Sequence, residues 1–67
     1  MGKYEMRFEA GGERLDLEWR EGEGMFRLVL GPVKGRKCTV GTHCERAVAI
    51  LMFNWEAKAM QKKWEET

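Results

Sequence analysis

An enzyme would need a nucleophile with a base, or a set of metal ligands, and this chain is poor in both: its 67 residues include no Ser, one histidine (His43) and two cysteines (Cys38 and Cys44). His43 stands beside Cys44 where a helix is expected to begin, and a thiol at a helix N-terminus can ionise more easily than usual. A small buried cysteine is the plainer reading. Zinc held by Cys38, His43 and Cys44 would need a fourth ligand, and the spacing matches none of the usual Cys and His pairs. No third group completes a catalytic triad. The chain is therefore expected to be no enzyme and to carry neither metal nor cofactor.

Charge is the other chemistry available. Carboxylates and arginines alternate through the first two strand-like segments, a pattern that keeps a sheet soluble and in register. Residues 1–32 carry a balance of −2, residues 33–46 a balance of +3 and residues 47–67 zero, so the formal net charge of +1 hides a local concentration of cations. Lys34, Arg36 and Lys37, with Arg46 nearby, form a basic edge able to neutralise a few backbone phosphates. A solvated basic loop is the alternative. Gly35-Arg36-Lys37 is no phosphate-binding loop, because the spaced glycines and the terminal Lys-Ser or Lys-Thr are absent.

These residues must be positioned by a small scaffold. Residues 3–10 alternate, with Tyr4, Met6, Phe8 and Ala10 on the inner side and Lys3, Glu5, Arg7 and Glu9 opposite, as in a half-buried strand. Gly11-Gly12 suits a two-residue hairpin turn. A second strand over 13–20 turns Leu15, Leu17 and Trp19 inward. A third over 25–30 turns Phe26, Leu28 and Leu30 inward and Met25, Arg27 and Val29 outward, with Gly31-Pro32 ending the pairing. A short fourth strand is expected over 36–40. Thr42-His43-Cys44-Glu45 fits a capping box, and no Gly or Pro interrupts a helix over 43–66. The fold class is thus α+β: a four-stranded antiparallel sheet (β-β-β-β-α) covered on one face by a long C-terminal helix, in a single domain.

The helix has more apolar surface than one sheet can cover. Residues 47–53 are apolar on all sides, whereas a helix on one sheet needs only a stripe. Val48, Leu51 and Trp55 form one stripe; Ile50, Phe53, Ala57, Met60 and Trp64 form a second. A helix of about 24 residues spans roughly 36 Å against roughly 23 Å for a seven-residue strand, so the end near Met60 and Trp64 should overhang. A domain this small also gains from a partner. These points predict a homodimer with Ile50, Leu51, Phe53, Trp55, Met60 and Trp64 at its interface. The longest apolar run is too short to cross a bilayer, the start of the chain has no apolar signal core, and two cysteines are too few for a disulfide framework. A cytoplasmic protein with free thiols and no membrane partner is expected.

The passages Arg14-Leu-Asp-Leu-Glu-Trp19 and Gly24-Met-Phe-Arg-Leu-Val-Leu30 are similar to the second and third strands of a Pur repeat. Gly35-Arg36-Lys37 stands seven residues before the helix cap, as in the positive transcriptional coactivators. In these passages, and in its order of four strands then a helix, the chain resembles the Whirly-like single-stranded nucleic-acid binders, which work as dimers. That resemblance implies single-stranded DNA or RNA lying along the exposed sheet, at Arg7, Arg14, Arg20, Arg27, Lys34, Arg36 and Lys37. Glu5, Glu9, Asp16 and Glu18 on the same face depart from it. The expected function is a dimeric binder of single strands with little sequence specificity. The alternative is a small protein-interaction or inhibitor module, a phage or accessory factor, acting through the apolar helix or the charged sheet.

Overall fold

The computed structural model describes residues 4–65. Four strands, β1 (Tyr4–Ala10), β2 (Glu13–Arg20), β3 (Met25–Pro32) and β4 (Cys38–His43), precede one helix, α1 (Arg46–Glu65). The strands form an antiparallel meander in the order β1-β2-β3-β4. The expected strand start at Lys3 and helix end at Glu66 lie outside the described residues.

Gly11 and Gly12 make the first turn with φ of 58° and 82°. Two successive positive φ values give a turn whose twist matches the strands it joins, and only glycine reaches them without strain. Residues then pair symmetrically about the turn: Ala10 with Glu13, Phe8 with Leu15, Met6 with Leu17. The helix face of the sheet follows from this register. Leu15, Leu17, Phe26 and Leu28 form the core with Ala49, Phe53 and Met60 of α1, while Met6, Phe8, Leu30, Ile50, Met52 and Ala57 pack around it.

The alternation of β1 breaks at Glu5. A uniform register would set Glu5 directly opposite Glu18, and like charges facing across a ladder are destabilising. A bulge between Tyr4 and Met6 removes that clash and places Tyr4 opposite Glu18. Tyr4, expected inside, consequently lies on the outer face with the Arg7 guanidinium 3.7 Å from its ring centre. Glu5 turns to the helix side and accepts a hydrogen bond from Arg46 at 2.8 Å. Trp19 packs on Phe26 at the sheet end with ring centres 4.7 Å apart, yet stays 40% exposed.

Three boundaries differ from the sequence reading. β3 runs on to Pro32, which pairs with Glu13 at the last position of the ladder, where a missing N–H is tolerated. The chain then folds back closely, since a Cβ on Gly31 would lie 2.8 Å from both the Arg36 carbonyl oxygen and the Lys37 Cα. This return displaces β4 to Cys38–His43 rather than 36–40, so Thr42 and His43 pair with Arg27 and Phe26. Thr42 is therefore a strand residue and the capping box does not form. The helix begins at Arg46 instead of 43, with Ala49 donating the first helical hydrogen bond to the Glu45 carbonyl. His43 Nδ1 accepts from the Glu45 amide at 3.0 Å and fixes the entry to the helix.

The helix is also shorter than expected, 20 residues, or about 30 Å, and its C-terminal half does not overhang. Met60 is 4% exposed in the core. Trp64 lies over Gly11, and its Nε1 donates to Glu13 at 3.1 Å. No helix among the described residues is long and apolar enough to cross a membrane.

Candidate nucleic-acid interface

The outer sheet face is built from the residues that alternate with the core. Arg7, Asp16, Val29 and Thr39 stand in one row across all four strands, and Tyr4, Glu18, Arg27 and Thr42 in another. Each sheet arginine meets a carboxylate. Arg7 donates to both oxygens of Asp16, at 2.8 and 3.1 Å, a two-pronged geometry that fixes direction as well as distance. Those hydrogen bonds, and the Asp16 charge behind them, hold the Arg7 guanidinium above the ordinary arginine range. Arg14 pairs with Glu9 at 2.9 Å, Arg20 with Glu18 at 2.8 Å and Arg27 with Glu23 at 2.7 Å.

This matters more for binding than for stability. Exposed pairs of this kind contribute only about 0–1 kcal/mol each to a fold. A guanidinium already beside a carboxylate, however, attracts phosphate weakly, because the neighbouring negative charge cancels most of its field. Asp16 is 4% exposed and Val29 is also buried, so the central row offers neither open cations nor a stacking surface. Tyr4, with Arg7 already on its ring, is the aromatic residue of this face.

The cations without a carboxylate partner among the described residues lie elsewhere. Lys34 and Arg36 are exposed in the β3–β4 loop, and Lys37 donates only to the Val33 carbonyl at 3.4 Å. Lys58 and Lys62 are exposed one turn apart in the last half of α1. Topology gathers these groups. The Val33 amide donates to the Gly12 carbonyl at 2.9 Å, which ties the β3–β4 loop to the first turn. Lys63 and Trp64 both donate to Glu13 beside that turn, tying the helix end to the same place. The result is a basic pole. The other end of the sheet carries Glu21 and Glu45, which have no cationic partner among the described residues, so the molecule is electrically polar along the strand direction.

Of the residues expected at a dimer interface, Phe53 and Met60 are core residues, Ile50 packs against that core and Trp64 covers Gly11. They belong to the stripe that meets the chain's own sheet. Leu51 and Trp55 remain, 68% and 76% exposed. They border a mostly apolar groove of about 270 Å³ between α1 and the sheet, lined also by Leu28, Val40, Val48, Met52 and Glu56. The two cysteines are both exposed and unpaired, and the described residues hold no group of three His, Cys, Asp or Glu placed to bind a metal. Comparison with known protein families, with curated proteins and with solved structures finds no match for this chain.

Proposed function

We propose that the protein binds the phosphate backbone of single-stranded DNA or RNA, with little sequence preference, at the basic pole. The observation that supports this is the segregation of charge: the sheet arginines are neutralised one by one, while Lys34, Lys37, Lys58 and Lys62 have no carboxylate partner among the described residues. The contact implied by the Whirly-like resemblance thus moves off the sheet and onto the loop and helix end. Without a row of aromatic side chains for bases to stack on, affinity comes from phosphate neutralisation and is indifferent to sequence. The reading takes the protein as a cytoplasmic homodimer, which presents the pole twice.

Binding of this kind is governed by salt. Three or four phosphate contacts to a single strand predict a loss of roughly 20- to 50-fold in affinity between about 50 and 200 mM salt. Fluorescence anisotropy of a labelled homopolymeric oligonucleotide measures it. Absence of binding at about 50 mM salt, or an affinity that ignores salt, contradicts the reading.

A further inference from the structure

The two edges of the sheet are not alike. β1 carries Glu5, Arg7 and Glu9, charges that stop an edge strand from pairing with another chain, and each edge strand has one bulge, between Tyr4 and Met6 in β1 and at Val40 in β4, the residue passed over between the Thr39–Val29 and Gly41–Leu28 pairs. β4, Cys-Thr-Val-Gly-Thr-His, has no Asp, Glu, Lys or Arg and is exposed over Cys38, Thr39 and Val40. Val40 is 44% exposed, and with Leu51 and Trp55 it makes this side of the molecule the place where large apolar side chains gather on the surface. Exposed aromatic and aliphatic residues beside an edge strand that carries no charged side chain mark an interface.

Several observations select the occupant. In β4, Cys38, Gly41 and His43 pair with Leu30, Leu28 and Phe26 of the helix face, Thr39 and Thr42 pair with Val29 and Arg27 of the outer face, and Val40 lines the groove on the helix side. Residues opposite each other in an antiparallel ladder point to the same face. A copy of β4 laid antiparallel beside the first satisfies this along the whole strand when Cys38 faces His43, Thr39 faces Thr42 and Val40 faces Gly41. β4 ends at Cys38 and His43, and this antiparallel arrangement brings the loop that carries Arg36 on one copy toward the segment that carries Glu45 on the other. Both residues are exposed, and neither has an ion-pair partner among the described residues. The groove agrees: a two-fold contact needs a surface that carries both a projection and a recess, and Trp55 projects from the rim of the recess it helps to form.

We propose that a second copy of this chain occupies the β4 edge and the groove beside it, pairing antiparallel about a two-fold axis with Arg36 of each protomer against Glu45 of the partner subunit. The sheet then continues across the axis, and the Val48, Leu51 and Trp55 stripes of the two helices close over each other. The interface stands independently of phosphate binding, because it can be measured without nucleic acid.

The test is solution mass by light scattering or sedimentation between about 1 and 100 μM, in the absence of oligonucleotide. The wild-type chain is expected to be dimeric within this range. Leu51→Asp with Trp55→Asp, at exposed positions, is expected to give a folded monomer by circular dichroism. Arg36→Glu and Glu45→Arg are each expected to weaken the dimer roughly 5- to 10-fold, and the double variant to restore it within about twofold. A monomer at about 100 μM, a dimer indifferent to the Leu51 and Trp55 changes, or a double variant no better than its parents overturns the proposal, the first of these leaving a foreign protein as the occupant.

Discussion

Gly11→Ala is expected to destabilise the protein by roughly 2–5 kcal/mol, combining a left-handed backbone penalty of about 1–2 kcal/mol with an overpacking cost of about 1–3 kcal/mol. Gly11 has φ of 58°, and a Cβ there would run into the Trp64 indole. Gly12 is the internal control. Its φ of 82° imposes the same kind of backbone strain, but a Cβ there meets nothing within 4 Å. Gly12→Ala should therefore cost only the backbone share, and the difference between the two variants measures the docking of the helix end on the first turn. Chemical denaturation of both, with Trp64→Ala added to each, completes the comparison. Removing Trp64 should narrow the gap between the two glycine variants; a gap that was never present, or one that persists, would mean that the helix end does not rest on this turn.

The second large effect concerns the two stripes of α1. Phe53→Ala should cost about 3–5 kcal/mol, the usual range for emptying a buried phenylalanine site, because Phe53 is 5% exposed against the sheet. A chain of this length has little stability in reserve, so most of the variant should be unfolded at room temperature. Leu51→Ala, two residues earlier and on the exposed side, should leave the stability of the isolated protomer within about 0.5 kcal/mol. Urea denaturation followed by circular dichroism at concentrations low enough to suppress association separates the two. Similar losses for both variants would contradict the assignment of the stripes.

Much of this architecture is legible in the residues. The Gly11-Gly12 turn, the alternation of Leu15 with Leu17 and Phe26 with Leu28, and the uninterrupted helical run suffice to place three strands and the helix, and to recognise that the helix has two apolar stripes. Which stripe meets the sheet depends on where the helix starts, and that was hidden: Thr42 satisfies a capping pattern locally, yet the ladder with Arg27 claims it, so α1 begins at Arg46. The docking of Trp64 likewise needs the sheet and helix in three dimensions, since nothing local links residue 64 to residue 11.

The neutralisation of the sheet arginines was within reach. Pairing about a two-residue turn sets Arg7 opposite Asp16 and Glu9 opposite Arg14 as soon as the turn is placed, and the structure has both pairs. The same symmetry sets Glu5 against Glu18, a repulsion that announces the bulge and the outward turn of Tyr4. What spacing along the chain does not convey is the meeting of the β3–β4 loop with the helix end, because the hydrogen bonds of Val33 to Gly12 and of Trp64 to Glu13 join segments far apart in sequence.

The division of cations into paired and unpaired sets makes a direct experiment possible. Two variants, Lys34→Ala with Lys37→Ala and Lys62→Ala, and Arg14→Ala with Arg20→Ala, are titrated with the same labelled single-stranded oligonucleotide at about 50 mM salt. The account predicts at least a tenfold loss of affinity for the lysine variant and a change within about twofold for the arginine variant, whose side chains already face Glu9 and Glu18. Retained affinity in the first with a large loss in the second would place the nucleic acid on the sheet and contradict it.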